Sequence, residues 1–391
     1  MSANGRDPIE LAQALIRCPS VTPVEGGALS LLQDVLSQAG FTVDRMTFSA
    51  PGTPDVENLY ARIGTGSPNL CFAGHTDVVP PGDLTRWTHA PFSADVVDGV
   101  MYGRGAVDMK GAIACFVAAA LRYVHAHGGQ PNGSISLLIT GDEEGQSING
   151  TSKVLDWLQA RGEKLEACVV GEPSNPKAIG DEIKIGRRGS LNCELIVQGK
   201  QGHAAYPHLA ENPVPKLARI IDRLSTTPLD QGTPDFEPSS LQVTVISAPN
   251  TATNVIPSEA RALFNIRYND LHRRLGVETW VKERCAAAAA EVDARWSVSF
   301  SGTGDVFLTQ PGPLVDTMAE AVEGVTGRKP KLSTGGGTSD ARFIQAFCPV
   351  IEFGLVNQTI HQVDERVPLT DLHQLTTIYE RFLVGYFASC V

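Results

Sequence analysis

The sequence repeatedly places an acidic residue or a histidine just beyond an apolar run. This happens after residues 69–73, 136–140 and 167–170, and the run 350–354 leads, seven residues later, to His361. An aspartate opens the Ala-rich helical segment that starts near residue 109. In an open α/β sheet the strand ends converge on one crevice, so these side chains are expected to meet in space. Histidine and carboxylate are the ligands of hydrolytic zinc sites. The pattern therefore predicts an α/β protein with a two-metal hydrolytic site.

The order of helical and strand-like segments predicts two domains. With 391 residues the chain is too long for a single compact core. Helix and strand patterns alternate over the first ~185 residues and again from about residue 303, which indicates a mostly parallel sheet covered on both faces. The middle section follows the order β-α-β-β-α-β of a ferredoxin-like module. We expect a discontinuous catalytic domain, 1–186 and 303–391, with an inserted dimerisation or lid domain, 187–302.

The amino-acid composition limits the kinds of partner that the protein can bind. Lys and Arg total 32 and Asp and Glu total 43, a formal net charge of −11, which argues against a nucleic-acid partner held through a basic face. An anionic substrate stays compatible, because local arginines can reverse the sign of the potential inside a pocket. The eight cysteines form no CxxC pair, and we expect reduced thiols. Without a signal sequence or a membrane-spanning run, a soluble cytoplasmic protein is expected.

The first of the strand-end groups is a short His-x-Asp motif, His75-Thr76-Asp77. Residues two apart in an extended segment point the same way, so His75 can bind a metal ion while Asp77 orients its ring. This motif is weak by itself, and its place after an apolar strand favours a ligand. Asp108 has two interpretations that are compatible, since a carboxylate at a helix start can cap the helix and also bridge two metal ions.

Glu143 and Glu144 form a second group of acids after an apolar strand. Adjacent residues cannot project identically, so one carboxylate can bind metal while the other acts as a general base, with a pKa raised by its neighbours. The alternative is a solvated acidic loop, but the flanking Gly141 and Gly145 favour a tight turn.

Glu172 and His361 would each be ordinary surface or paired residues if considered alone. Added to the other groups, they complete a set of two histidines and three acids, with one further acid free as a base. That set suits two zinc ions about 3.5–4 Å apart. Imidazole nitrogen favours zinc over magnesium.

The chain resembles the metal-dependent aminoacylase and carboxypeptidase family, of the M20 type, along nearly its whole length. The stretches that carry the family resemblance are 72–80, 102–111, 141–145 and 170–173. Within the family it is most similar to the branch that hydrolyses N-succinyl-L,L-2,6-diaminopimelate. The stretches that carry this closer similarity are 186–190, 202–208, 253–257, 336–340 and 359–361.

The resemblance implies a role for each site residue. The implied metal ligands are His75, Asp108, Glu144, Glu172 and His361, with Asp108 as the bridging ligand. Asp77 would orient His75, Glu143 would be the general base, and a cis peptide would follow Asp108. The implied cofactors are two Zn²⁺ per subunit, with Co²⁺ as an alternative at one site. The chain departs from the family at Asp364, where an Asn is expected.

The resemblance also implies a homodimer and a small-molecule substrate. His203 would reach across the dimer to stabilise the oxyanion in the partner subunit's site. The residues expected to contact a substrate with three carboxylates are Arg187, Arg188, Tyr206, Asn254, Arg267, Gly337, Thr338 and Ser339. Arg188 and Arg267 could equally be structural ion-pair partners. From the residues alone, His203, Tyr206 and His208 would be a polar loop cluster.

The expected function is zinc-dependent hydrolysis of the succinyl amide, a step of lysine and diaminopimelate biosynthesis. The nearest alternatives are an acetylornithine deacetylase and another N-acyl-amino-acid or dipeptide hydrolase of the same family. The alternative from a different class is a catalytically inactive relative that serves as a binding protein. The intact Glu143 and the complete ligand set argue against that last alternative.

Overall fold

The computed structural model describes residues 5–302 and 304–389. Across these residues the helices are α1 (Pro8–Ile16), α2 (Ala28–Gln38), α3 (Lys110–Ala126), α4 (Thr151–Ala160), α5 (Pro213–Thr226), α6 (Arg274–Glu291), α7 (Pro313–Thr326), α8 (Ala341–Ile344) and α9 (Leu369–Ser389). Short 3₁₀ turns lie at Leu84–Arg86 and Pro207–Leu209. No described helix is long and apolar enough to cross a membrane.

Strands alternate with these helices along the sequence. They are β1 (Thr42–Phe48), β2 (Val56–Ile63), β3 (Asn69–His75), β4 (Asp95–Val97), β5 (Val100–Tyr102), β6 (Ser134–Thr140), β7 (Ala167–Val170), β8 (Glu182–Lys184), β9 (Gly186–Arg187), β10 (Gly189–Gln198), β11 (Gly202–His203), β12 (Ser240–Ser247), β13 (Val255–Ile256), β14 (Glu259–Tyr268), β15 (Arg295–Ser301), β16 (Phe307–Leu308), β17 (Lys331–Ser333), β18 (Val350–Glu352) and β19 (Arg366–Pro368).

The chain divides into two compact units. The first contains the residues up to Ile185, Thr309–Ser333 and the residues from Ser339 onward. The second contains Gly186–Leu308 and Thr334–Thr338. The expected domain boundaries and the roles given to the two domains stay predictions.

A sheet of eight strands forms the centre of the first unit, in the order β1-β2-β6-β3-β7-β18-β8-β17. The four central strands β6, β3, β7 and β18 run parallel, while β1, β2 and the β18–β8 junction add antiparallel pairs. The prediction of an α/β fold with a mostly parallel central sheet is therefore confirmed. Because the parallel strands end at the same edge, the residues that follow them are neighbours in space.

Burial on both faces fixes the position of β3. All seven of its residues are buried, and α3 is buried along nearly its whole length. The ring of Phe72 on β3 stacks on Phe116 of α3 with 4.3 Å between centroids, and Tyr379 of α9 packs edge-on against both rings. The many alanines of α3 leave little side-chain volume between this helix and its neighbours. The end of β3, where His75 lies, is therefore held by a close-packed core.

The second unit has the order β10-α5-β12-β14-α6-β15 and a four-stranded antiparallel sheet. Its spatial order is β12-β14-β10-β15, as the ferredoxin-like pattern requires. Along β10 the side chains alternate between buried and more exposed positions, so one face packs against α5 and α6. At the edge of the sheet, β12 carries the exposed apolar side chains of Val245 and Ile246.

Candidate metal centre

Three adjacent strands of the first unit deliver most of the predicted ligands to one edge of the sheet. His75 is the last residue of β3 and pairs in register with Thr140, the last residue of β6. The turn after β6 therefore brings Glu143 and Glu144 beside His75. On the other side of β3, β7 ends at Val170, and Glu172 follows after Gly171. The convergence of strand ends is thus the physical reason that these four side chains meet.

Two irregular segments supply the remaining ligands. Asp108 ends the turn that precedes α3, and the Asp108–Met109 peptide bond is cis, as the resemblance implied. His361 lies in the segment between β18 and β19 and has a left-handed backbone, with φ +59°. Asp364, the departure from the family pattern, is also left-handed, with φ +56°. Asp and Asn are both enriched in that conformation, so Asp364 keeps the turn that the expected Asn would form.

Asp108 has an imidazole at each of its two oxygens. His75 Nε2 lies 3.1 Å from Asp108 Oδ1, and His361 Nε2 lies 3.3 Å from Asp108 Oδ2. Each imidazole also approaches a second carboxylate. His361 Nε2 is 2.8 Å from Glu144 Oε1, and His75 Nε2 is 3.7 Å from Glu172 Oε1. A carboxylate placed between two such groups has the arrangement that a bridging ligand requires.

The donor atoms fit a divalent cation. One ligand atom each from His75, Asp108 and Glu144 lie within 4.8 Å of one another, and the same holds for His75, Glu143 and Glu172. Imidazole nitrogens and carboxylate oxygens in such a cluster are the donors that zinc prefers. The site is therefore a candidate metal-binding site. The second group includes Glu143, so proximity alone does not separate the predicted base from the predicted ligands.

Asp77 contacts both halves of this cluster. Its main-chain carbonyl lies 2.9 Å from His75 Nδ1, whereas its carboxylate is 3.7 Å from that nitrogen. The two carboxylate oxygens accept hydrogen bonds from the N–H groups of Glu143 and Glu144, at 3.3 and 3.0 Å. Asp77 thus fixes the Glu143–Glu144 turn through its side chain and touches the His75 ring through its backbone. Its orienting role stays a prediction.

Burial and close charges shift the pKa values of the metal-free cluster. Hydrogen bonds to Asp108 and Glu144 raise the pKa of His361 to about 10. Burial opposes a charge on His75, yet its hydrogen bond to Asp108 and the nearby charge of Glu172 raise its pKa well above the ordinary value. Burial would raise the pKa of Asp108, but its hydrogen bonds to the two imidazoles lower it.

The other acids of the cluster have raised pKa values, in contrast to Asp108. Burial, together with the charges of Asp340 and Glu144, raises the pKa of Glu143 to about 8 against the opposing charge of His75. Burial raises the pKa of Asp77 to about 6, and burial and the neighbouring acids raise that of Glu172 well above its ordinary range. Without a cation, the cluster therefore keeps protons at neutral pH.

The arginines predicted to bind substrate lie in the second unit. Arg187 is buried, and its guanidinium donates to the carbonyl of Gly335 at 2.8 Å. Arg188 lies 3.7 Å from a carboxylate oxygen of Glu237, which is compatible with the structural alternative for this residue. Arg267 lies on β14 between β10 and β12.

The other predicted substrate contacts fall into two places. In the second unit, Gly337 and Thr338 belong to the segment Thr334–Thr338, where Gly337 is exposed and Thr338 half-buried. In the first unit, Ser339 is buried and its hydroxyl donates to the buried carboxylate of Glu352. These contacts are internal to the protein, and the substrate roles stay predictions.

His203, Tyr206 and Asn254 come together in the second unit. His203 pairs with Val255 across β11 and β13, and the N–H of Ala204 donates to the Asn254 carbonyl at 2.9 Å. The rings of His203 and Tyr206 lie 5.6 Å apart, and both side chains are exposed.

Several buried charged residues near the predicted ligands had no role from the sequence, among them Arg104, Asp142, Asp340 and Glu365. Asp142 accepts from the N–H groups of Gln146, Ile148 and Asn149, and so shapes the turn after β6. Arg104 and Asp142 lie in stretches that carry the family resemblance, Asp340 lies in one that carries the closer similarity, and Glu365 follows another by four residues. A charged residue in such a stretch that is not a ligand was the available signal.

Comparison with known proteins decides the family. Residues 71–384 match peptidase family M20/M25/M40. The chain belongs to this family. This M20/M25/M40 protein is 58% identical to succinyl-diaminopimelate desuccinylase of Rhodopseudomonas palustris (strain BisB5), over 99% of this chain and 100% of the relative. It is 59% identical to the protein of the same name from Bradyrhizobium sp. (strain ORS 278), over 98% and 100%.

Solved structures share the fold at low sequence identity. Aminopeptidase PepT from Bacillus cereus matches with a TM-score of 0.80 and 20% identity, over 99% of this chain and 100% of that one. The metallo-carboxypeptidase Sso-CP2 from Sulfolobus solfataricus matches with a TM-score of 0.77 and 19% identity, over 98% and 99%. The resemblance drawn from the sequence and the predicted fold class are confirmed.

The shifted pKa values predict that cation binding releases protons at pH 7. His361, with a pKa of about 10, and Glu143, with a pKa of about 8, hold protons before cations bind. His361 must lose its proton to bind a cation, and the charge of a nearby cation lowers the pKa of Glu143. Since these pKa values are raised, the apparent affinity for Zn²⁺ should increase as pH rises from about 6 to 9. Calorimetric titration in two buffers with different ionisation enthalpies measures the release.

The matched variants are His361→Gln, which should release fewer protons, and His373→Gln, which changes an exposed histidine of α9 and should release as many as the original protein. Proton uptake on binding, or an affinity for Zn²⁺ that falls with rising pH, would contradict the raised pKa values of His361 and Glu143.

Proposed function

We propose that the protein is a metal-dependent amide hydrolase that converts N-succinyl-L,L-2,6-diaminopimelate and water to succinate and L,L-2,6-diaminopimelate. The observation that carries the proposal is the full-length identity of 58–59% to curated relatives named succinyl-diaminopimelate desuccinylase. The clustered imidazoles and carboxylates supply the ligands that such chemistry needs. The product assigns the reaction to diaminopimelate and lysine biosynthesis. A cytoplasmic location is part of the same proposal.

The proposed cofactors are two Zn²⁺ per subunit, with Co²⁺ as an alternative at one site. His75, Asp108, Glu144, Glu172 and His361 would hold them, with Asp108 between the two. The group of donor atoms from His75, Asp108 and Glu144, and the imidazoles of His75 and His361 at the two oxygens of Asp108, support this assignment. When bound, such ions lower the pKa of water and polarise the scissile carbonyl.

Glu143 is the proposed general base. It removes a proton from the attacking water, whose oxygen forms a bond to the succinyl carbonyl carbon. The C–N bond then breaks, and Glu143 returns the proton to the departing amine nitrogen. The raised pKa of about 8 supports this role, because a general base and acid works best with a pKa near the working pH. Bound cations would lower that pKa, because a nearby positive charge favours the ionised carboxylate.

His203 is the proposed donor to the oxyanion. Its Nδ1 accepts a hydrogen bond from the N–H of Ala205 at 3.0 Å. A neutral imidazole whose Nδ1 accepts carries its proton on Nε2, so Nε2 is available as a donor. A donor of this kind contributes about 3–4 kcal/mol to transition-state stabilisation. The exposure of His203 and Tyr206 is compatible with a site completed by the partner subunit.

The proposed assembly is a homodimer formed through the second unit. Its support is β12, an edge strand that exposes Val245 and Ile246 to solvent. An edge strand with apolar side chains is a ready surface for pairing with another chain. The substrate carboxylates would be bound by Arg187, Arg188 and Arg267, since guanidinium groups bind carboxylates through two parallel hydrogen bonds.

The substrate assignment predicts the outcome of a direct comparison. The zinc-loaded protein should hydrolyse N-succinyl-L,L-2,6-diaminopimelate with a much higher kcat/KM than N-acetylornithine or a dipeptide. A chelator should abolish the activity, and added Zn²⁺ should restore it, because the cations polarise the scissile carbonyl. Preference for N-acetylornithine would favour the deacetylase alternative, and failure to hydrolyse any of the three would favour an inactive binding relative.

The role of Glu143 predicts that Glu143→Gln keeps its cations but loses activity. The amide has the shape of the carboxylate but cannot accept the proton of water, so kcat should fall by at least about 10²–10⁴-fold. Bound zinc is measured by metal analysis on the same samples. The matched control is Glu320→Gln, which neutralises an exposed glutamate of α7 and should leave kcat unchanged. Loss of bound zinc in Glu143→Gln would instead identify Glu143 as a ligand.

The proposed cross-subunit role of His203 predicts recovery of activity in mixed dimers. Chains with His203→Ala and chains with Glu143→Gln should each be inactive alone, for different reasons. In a heterodimer one site would combine an intact Glu143 with an intact His203 from the other chain, so part of the activity should return. Subunit exchange is verified by mass spectrometry. Absence of activity in proven heterodimers would refute the cross-subunit role.

A further inference from the structure

We propose that the buried ion pair between Arg104 and Glu365 joins the two segments that carry Asp108 and His361, and so sets the affinity of the site for its cations. Both residues act through their neighbours, as positioning residues. The inference rests on the proposed metal site, because Asp108 and His361 are two of its proposed ligands.

Glu365 fixes the backbone of the turn that ends at Asp108. Its carboxylate is fully buried and accepts hydrogen bonds from the N–H groups of Gly105, Val107 and Asp108, at 3.1, 2.9 and 3.2 Å. The main-chain carbonyl of Glu365 also accepts from the N–H of Gly103, at 2.8 Å. One residue thereby satisfies four main-chain donors of an irregular turn, which has no helix or strand to hold it.

Arg104 makes the complementary contacts from the turn back to the His361 segment. Its guanidinium is almost completely buried and donates to Glu365 Oε2 at 2.8 Å, to the Gln362 carbonyl at 3.2 Å and to the His361 carbonyl at 3.5 Å. The ring of Trp87 covers it, with 5.2 Å between the guanidinium carbon and the ring centroid. The planar fork of arginine can span these acceptors, whereas a lysine ammonium cannot.

The two segments need such a connection because neither is held by regular structure. Asp108 must present one oxygen to each imidazole, and His361 comes from a segment that is more than 250 residues away in sequence. A buried ion pair adds little to stability, since desolvation of the charges offsets their attraction. Partners behind metal ligands, in contrast, commonly change metal affinity about 10–100-fold when they are removed.

The test compares three full-length variants. Glu365→Gln replaces one acceptor oxygen with an NH₂ group that faces other donors. Arg104→Lys keeps the charge but loses the fork. The matched control is Glu163→Gln, because Glu163 is a half-buried carboxylate of the first unit that, like Glu365, accepts several hydrogen bonds, here from Tyr60, Arg62 and Asn69. Two quantities are measured for each variant: the Kd for Zn²⁺ in chelator-buffered titrations, and the Tm with and without Zn²⁺.

Glu365→Gln and Arg104→Lys should raise the Kd for Zn²⁺ about 10–100-fold and shrink the increase in Tm that Zn²⁺ produces. Glu163→Gln should lower the Tm of both forms alike and leave the Kd unchanged. Equal Kd values in the original protein and in whichever of the two variants folds would overturn the inference, and so would an equal increase in Kd in Glu163→Gln. If the original protein itself binds no Zn²⁺, the proposed metal site fails first.

Discussion

Mutual repulsion among buried carboxylates is the constraint on which the rest of this structure depends. Asp108, Glu143, Glu144 and Glu172 meet at one edge of the sheet, and Asp77 and Asp340 lie beside them. Water is largely excluded, so their charges are poorly screened. The two imidazoles offset part of this charge by holding protons in the metal-free state. Divalent cations would offset it more fully, so the same repulsion favours the binding of cations.

A second set of carboxylates gives the cluster its shape through the backbone. Asp77 accepts from the N–H groups of the Glu143–Glu144 turn, Asp142 from the turn that follows, and Glu365 from the turn before Asp108. Each of these turns lacks a regular hydrogen-bonding partner, so a buried carboxylate replaces the ladder of a strand. The ligands are therefore placed by strand ends on one side and by carboxylate-capped turns on the other. Such support allows irregular loops to hold a site with little freedom.

Much of the fold was predictable because the spacing of apolar residues along the sequence reflects which faces of a strand are buried. The fully buried β3 and β7 read as continuous apolar runs, and β10 reads as an alternating strand of a half-buried sheet. The β-α-β-β-α-β order predicted the topology of the second unit. The antiparallel pairs at β1, β2 and β8 were not predictable, since strand direction depends on long-range pairing that leaves no local pattern.

The sequence by itself determined which chemistry is available: one imidazole and several carboxylates stand at or just beyond strand ends, which converge in an α/β sheet, and a second imidazole follows in a loop. It also carried the family resemblance. Only the tertiary structure decided that His361 lies beside an oxygen of Asp108 and that the Asp77 carboxylate accepts hydrogen bonds from a neighbouring turn. It also decided that Arg104 and Glu365 join two distant segments. These contacts join irregular loops, and main-chain groups of the loops accept or donate many of the accompanying hydrogen bonds. Every residue has such groups, so the identity of the residues does not reveal which of them will pair.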